Sequence, residues 1–282
     1  MHTLLELSKI RITFAVSLTT ITGYVLANGK FDTGLILPTL GIFLLACGSS
    51  ALNHYQERDK DAQMERTKNR PIPSGRISET SALMFAITLS VLGSVLIYLG
   101  SGMLALQLGL LAMIWYNAIY TPLKKKTAFA VIPGSVIGAL PPMVGWVAGG
   151  GSLTDPRALI IAFFFFIWQV PHFWLLLLKY GKEYEKAGYP SLTSIYSSKQ
   201  IKYTTFIWTM ATAVTALMLP VFGIVNSLVF SIGTLIVSFW LIFQFVSLLK
   251  QNDESFIPGV YFMKINYFVL FMIIFLSVDS VI

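Results

Sequence analysis

Between Asn53 and Arg76 the chain reads NHYQERDKDAQMERTKNRPIPSGR, a charged island in a sequence that is only 12% charged. Asn53, Glu57 and Asp61 recur there at every fourth residue. On an α-helix this spacing keeps three oxygen-bearing side chains on one face, about 6 Å apart along the axis and drifting about 40° per step. Such a ladder suits a hard divalent cation, because Mg2+ takes carboxylate and carbonyl oxygens and keeps positions for water and phosphate. A solvated helix end of mixed charge would show the same pattern. Basic residues surround it: Arg58, Arg66, Lys68 and Arg70 within the island, and the run Lys124, Lys125, Lys126 further on. Arginine gives an anion bidentate contacts and lysine gives it a point charge. Arg70, in NRP beside a turn, is the preferred clamp. Asp59 faces away from the ladder, and Glu65 continues its register one step past Asp61. A second polar cluster, KYGKEYEKAGYP from Lys179 to Pro190, again puts Lys179 and Glu183 four apart, with Tyr184 adjacent, before Gly188 and Pro190 end the helix.

The elements that must hold these residues are apolar. Of 282 residues 55% are hydrophobic. Nine stretches are long enough for a hydrocarbon core of about 30 Å: roughly 10–29, 34–52, 80–99, 102–120, 129–149, 156–178, 204–224, 226–249 and 259–280. They do not alternate as barrel strands do, so they are expected to be helices of one all-α integral membrane domain spanning 1–282. The N-terminal segment and the connections after the second, fourth, sixth and eighth spans, with their flanks, hold 18 of the 20 Lys and Arg; Lys30 and Arg157 are the exceptions. By the positive-inside bias the N-terminus is expected in the cytoplasm and, after nine spans, the C-terminus outside. The net charge of +7 is then a membrane-orientation signal and not a nucleic-acid footprint. Cys47 is the single cysteine, so no internal disulfide can form. MHTLLELSKIRITF lacks the layout of a cleaved leader, and a multi-pass protein of a bacterial plasma membrane is the simplest expectation.

Length, charge and polar side chains concentrate on the cytoplasmic side, and the two polar clusters end helices that point the same way. A weak four-helix repeat plus one helix would place them on one cavity. Asp155-Pro156 reads as a helix start. Pro171 should kink its helix or free a carbonyl. Gly138, Pro141, Pro142 and Gly145 are either irregular backbone beside a cavity or packing residues. His172 is an ionisable group on an apolar helix: it either touches a ligand or bonds a carbonyl freed by Pro171. His54 reads as a solvated neighbour of the ladder. Tyr116, Tyr120, Trp146, Phe173 and Trp174 supply aromatic faces that could shield a carbocation, without individual roles.

Four ordered segments then carry a resemblance: ALNHYQERDKDAQMERTKNRPIPSG, YTPLKKKT, GALPPMVGW and WQVPHFWLLLLKYGKEYEKAG. They resemble the UbiA-type intramembrane prenyltransferases and, within that superfamily, the branch that farnesylates heme. They cover residues 51 to 190; beyond them the likeness is of hydrophobic helices alone. The resemblance implies a nine-helix bundle whose central cavity opens to the cytoplasmic side and laterally to lipid. It implies Mg2+-dependent transfer of farnesyl from farnesyl diphosphate to the 2-vinyl group of heme B, giving heme O. Asn53, Glu57, Asp61 and Glu183 would be the catalytic metal ligands. Arg66, Arg70, Lys124 and Lys179 would bind diphosphate. His172, Trp174 and Tyr184 would bind the heme. A heme A synthase or a terminal oxidase assembly would receive the product. The family pattern has Asp where this chain has Glu57 and Glu183, each side chain being longer by about 1.5 Å. That departure bears on the acceptor more than on the reaction type. The rival readings are a UbiA-type enzyme with a quinone precursor or another tetrapyrrole as acceptor, and a secondary transporter. The latter would carry its polar residues at mid-membrane on broken helices.

Overall fold

The computed structural model describes residues 2–250 and 256–282, and every regular element among them is helical. In chain order these are α1 (His2–Leu7), α2 (Ile10–Asn28), α3 (Ile36–Asp61), α4 (Glu79–Ile114), α5 (Val136–Ala148), α6 (Pro156–Lys186), α7 (Ser198–Val221), α8 (Leu228–Lys250) and α9 (Pro258–Asp279), with short helical turns between α4 and α5. Among the described residues eight continuous runs are long and apolar enough to cross a membrane. Helices are what lipid demands, since each satisfies its own backbone donors and acceptors. Apolar side chains such as Leu99, Val221 and Phe243 remain exposed, as a lipid-facing surface requires.

The expected spans 80–99 and 102–120 both lie in the run that begins with α4. A straight helix of its 36 residues would be about 54 Å long, far beyond one hydrocarbon core. Gly102 breaks it, with φ 75° and ψ −171°, a conformation open to glycine and strained for other residues. The two arms fold back on each other: a Cβ at Gly109 would stand 3.1 Å from Ile97, where twelve residues of straight helix would separate them by about 18 Å.

Short residues close the bundle. A Cβ on Gly23 would stand 1.9 Å from the Pro142 carbonyl oxygen, and one on Gly145 equally close to that of Thr20, so α2 and α5 pack backbone to backbone. Gly145, Pro141 and Pro142 are thus packing residues inside α5, and the break in this span falls upstream, at Ser135. The ring of helices closes where Ser277 of α9 donates a hydrogen bond to Thr22 of α2 at 3.1 Å. Asp155 caps α6 through the Arg157 amide, and α6 runs through Pro171 without interruption. The sequence reading has no counterpart for α1. Its Leu7 is fully buried with Ala51 of α3, so the N-terminus folds over that helix face.

Candidate active site

α3 continues nine residues beyond its expected apolar span, as far as Asp61, with no Gly or Pro in the extension to interrupt it. Its last turns carry the ladder. Asn53, Glu57 and Asp61 are only 1%, 5% and 2% exposed, which rules out the solvated helix end. Buried carboxylates require partners, and each has them. Glu57 accepts from the Lys124 ammonium at 2.6 Å, the Tyr189 hydroxyl at 3.0 Å and the Asn53 amide at 3.1 Å. Asp61 accepts from Arg70 Nη1 on both oxygens, at 2.8 and 2.7 Å. Asn53 also donates to Thr121 at 3.1 Å, while its Oδ1 accepts from Lys9 at 3.0 Å and from the Tyr116 hydroxyl at 3.1 Å.

A π-helical turn, Trp115–Tyr120, presents Tyr116, Thr121 and Lys124 to α3. In i→i−5 bonding residue 122 would donate to the carbonyl of Asn117, but Pro122 has no N–H. Gln56 of α3 donates to that carbonyl instead, at 3.1 Å, and Asn117 returns a bond to Gln56 Oε1 at 3.1 Å and another to the Ser49 carbonyl at 3.0 Å. The turn is pinned to the ladder helix by the same residues that would otherwise be left unsatisfied.

The loop after α3 and the segment after α6 meet over the site. Lys60 donates to the Ala187 carbonyl, and Met64, Ala187 and Tyr189 pack together. The Arg66 guanidinium lies 4.7 Å from the Tyr180 ring centroid and donates to the Tyr184 hydroxyl at 3.3 Å. Beneath them a cavity is lined by Tyr120, Lys124, Leu177, Tyr184 and Tyr189. Burial first, and then the charge of Glu57, hold the Tyr189 phenol well above its ordinary pKa, so it donates to Glu57 as a neutral hydroxyl.

Lys9 was missed by sequence reasoning, which counted it only as one more cytoplasmic charge. It is the non-glycine residue with positive φ (46°) among the described residues, a conformation that costs about 1–2 kcal/mol. That backbone turns its amino group to Asn53. Burial first, then the charges of Arg70 and Lys124, push the amine down to about 7.

The remaining expectations separate. Glu183 accepts from the Arg66 backbone N–H at 3.3 Å, across the site from the ladder. Among the described residues no three His, Cys, Asp or Glu side chains lie close enough to hold one ion, so Glu183 does not join Glu57 and Asp61 as a ready-made ligand set. Lys179 is exposed and lies along Tyr180 and Gly259, apart from the ladder. Asp59 is exposed, and Glu65 pairs with Lys68 on the surface, while Arg58 pairs with Glu79. The three aromatic and imidazole residues expected around an acceptor go to three places. Tyr184 lines the cavity near Lys124. Trp174 is buried edge-on to Trp208, 6.0 Å away. His172 hydrogen-bonds the Asn266 side chain of α9 at 2.8 Å, not a carbonyl freed by Pro171. His54 is corrected too: at 2% exposure it is sealed inside the protein, not solvated.

An acid ladder neutralised by lysine and arginine, closed over by two loops at the end of a polytopic helical bundle, is an arrangement suited to an anionic substrate. Its place in the last turns of α3 departs from the mid-membrane broken helices of a transporter. Residues 16–266 match the model of the UbiA prenyltransferase family, and the chain belongs to that family. It is 38% identical over 221 residues to the protoheme IX farnesyltransferase of Geobacter sulfurreducens, covering 78% of this chain and 81% of that one. It is 33% identical over 276 residues to that of Christiangramia forsetii, covering 96% and 91%. A solved structure of a digeranylgeranylglyceryl phosphate synthase shares the fold, with a TM-score of 0.78 at 20% identity over 99% of this chain and 98% of that one. A UbiA homologue from Archaeoglobus fulgidus bound to GPP and Mg2+ aligns with a TM-score of 0.75 at 15% identity over 99% of both chains.

Proposed function

We propose that this chain transfers the farnesyl group of farnesyl diphosphate to the 2-vinyl group of heme B, giving heme O. The observation that carries the reaction type is the buried Asn53–Glu57–Asp61 ladder, each carboxylate matched to a cation. The acceptor rests on the curated relatives, which are named protoheme IX farnesyltransferase.

The donor set suits Mg2+, since it consists of hard oxygen atoms of an amide and carboxylates. Asn53, Glu57 and Asp61 would hold it, and Glu183, which in the ligand-free protein accepts from the Arg66 N–H across the site, would have to move in to join them. When bound, the ion supplies Lewis-acid neutralisation of the leaving diphosphate. Lys124, Arg70 and Lys9 are the cations that a diphosphate would meet, moving from carboxylate or amide oxygen to phosphate oxygen. Arg66 closes the loop above. As the bond from C1 of farnesyl to diphosphate oxygen breaks, its electron pair leaves with the diphosphate. The vinyl π pair then attacks C1, and water adds to the resulting cation, releasing a proton and leaving a hydroxyethylfarnesyl side chain. Tyr116, Tyr120 and Phe173 form a row of rings, with centroids 5.9 and 5.8 Å apart, whose faces can stabilise an allylic cation while water is excluded. The cavity opens toward the cytoplasm and laterally to lipid, through which both apolar substrates enter. The protein resides in a bacterial plasma membrane with its N-terminus inside and its C-terminus outside, and the product passes to a heme A synthase or oxidase assembly.

Asp61→Asn, or removal of divalent cations with a chelator, should abolish diphosphate release while the helical fold, read by circular dichroism, is retained. Turnover that survives both treatments rules out a metal-dependent ladder.

A further inference from the structure

The His172 ring lies among aromatic rings: its centroid is 4.9 Å from that of Trp168, 4.8 Å from Phe262 and 5.5 Å from Phe173. Phe173 continues the row through Tyr120 to Tyr116, whose hydroxyl donates to Asn53. The imidazole therefore stands at the opposite end of an aromatic row from the ladder.

Its partner decides its proton. The Asn266 amide nitrogen donates to the Phe262 carbonyl at 2.6 Å, which turns Asn266 Oδ1 toward His172 Nδ1 at 2.8 Å. A carbonyl oxygen can only accept, so Nδ1 carries the hydrogen and Nε2 keeps a lone pair. Among the described residues Nε2 has no hydrogen-bond partner. It is also not one of the sealed, orphaned nitrogens, as both ring nitrogens of His54 are, so on this half-buried side chain it keeps accessible surface. An imidazole whose Nδ1–H is held by an oxygen and whose Nε2 is free and oriented is the arrangement that proteins use to ligate metals. A lone histidine makes a poor site for a free ion, but flat rings on three sides suit a planar macrocycle that brings its own metal.

We propose that Asn266 is a positioning residue that fixes His172 as its Nδ1–H tautomer, so that Nε2 serves as an axial ligand to the iron of a metalloporphyrin acceptor. The bond is dative, from the Nε2 lone pair to iron, with no change of oxidation state. This deepens the reading of heme as acceptor and rests on it. The site recognises the metal centre, and not only the apolar rim and carboxylates of the porphyrin.

The test titrates the full-length protein in detergent with ferric heme B and, separately, with iron-free protoporphyrin IX. The parent should give the absorption and magnetic circular dichroism signature of histidine-ligated heme. His172→Ala should lose that signature and regain it with added imidazole. Asn266→Leu should weaken heme binding about ten- to a hundredfold, the range seen when such supporting bonds are removed, and leave protoporphyrin binding unchanged. Asn266→Asp, which still accepts from Nδ1–H, should keep the ligation. Thermal stabilisation by farnesyl diphosphate with Mg2+ reports that each variant is folded. The proposal is overturned if His172→Ala keeps the parent's signature, if Asn266→Asp weakens heme as much as Asn266→Leu, or if heme and protoporphyrin lose affinity equally. Farnesyl transfer to heme without a histidine signature would sink the axial ligand alone. Ligation without transfer would instead sink the proposed reaction.

Discussion

Lys124→Met separates the two jobs that the Lys124 ammonium holds in this account. In the ligand-free protein the amine sits 2.6 Å from Glu57 Oε2, with side chains only 18% and 6% exposed. A hydrogen bond to a charged group in such a place contributes about 1.5–3 kcal/mol. Its loss leaves Glu57 with two neutral donors, Tyr189 and Asn53, so the free protein should be roughly 2–3 kcal/mol less stable, below the range for a fully buried broken pair. A divalent cation that binds Glu57 must displace the same amine. Removing it should therefore strengthen binding of Mg2+ alone by about tenfold, equal to roughly 1.4 kcal/mol of added stabilisation at saturating metal. Farnesyl diphosphate with Mg2+ should bind the variant about tenfold more weakly, because one phosphate clamp is gone. Calorimetric titration in detergent, with Mg2+ alone and then with the diphosphate, reads both constants. The two must move in opposite directions. If Mg2+ alone binds the variant more weakly than the parent, Lys124 does not exchange between carboxylate and phosphate, and the account of the ladder fails.

Tyr189→Phe removes one hydrogen bond to Glu57 from the segment that closes the cavity; turnover should fall about tenfold with Mg2+ affinity little changed, and a parental rate would detach that segment from catalysis. Lys9 predicts a pH dependence of the ligand-free protein. Its folded pKa of about 7 lies below the unfolded value of 10.5, so folding favours the neutral amine. The penalty is fully present below pH 7 and fades as pH rises toward 10.5, at up to about 1.4 kcal/mol per unit. The unfolding temperature of the parent should thus gain on that of Lys9→Met between pH 7 and 9.5, whereas parallel profiles would mean that the amine is solvated.

Much of the architecture was readable because lipid imposes lengths. Apolar runs near 20 residues mark helices, and Ser101-Gly102 marked the fold-back between two of them. Asn53, Glu57 and Asp61 were found because helical spacing puts residues on one face whatever the tertiary structure. The pairings across the site lie on another level. Lys9 with Asn53, Lys124 with Glu57 and Tyr189 with Glu57 join residues 44, 67 and 132 apart in the chain, and no local periodicity carries that information. His54 was misread for the same reason: nothing in its local sequence shows that α3 is packed over on this face. Lys179, exposed along Tyr180, shows that register within a helix does not say which neighbour that face will meet. The π-helical turn had no such signal: that Pro122 follows Asn117 by five residues matters only once the turn has formed and Gln56 serves the free carbonyl.

The most direct test of the central claim is the product itself. Purified protein incubated with heme B, farnesyl diphosphate and Mg2+ should yield, by mass spectrometry, heme that has gained one farnesyl group and one water, in a reaction lost on chelation and in Asp61→Asn. Recovery of unmodified heme alongside prenylation of another aromatic or tetrapyrrole acceptor would contradict it.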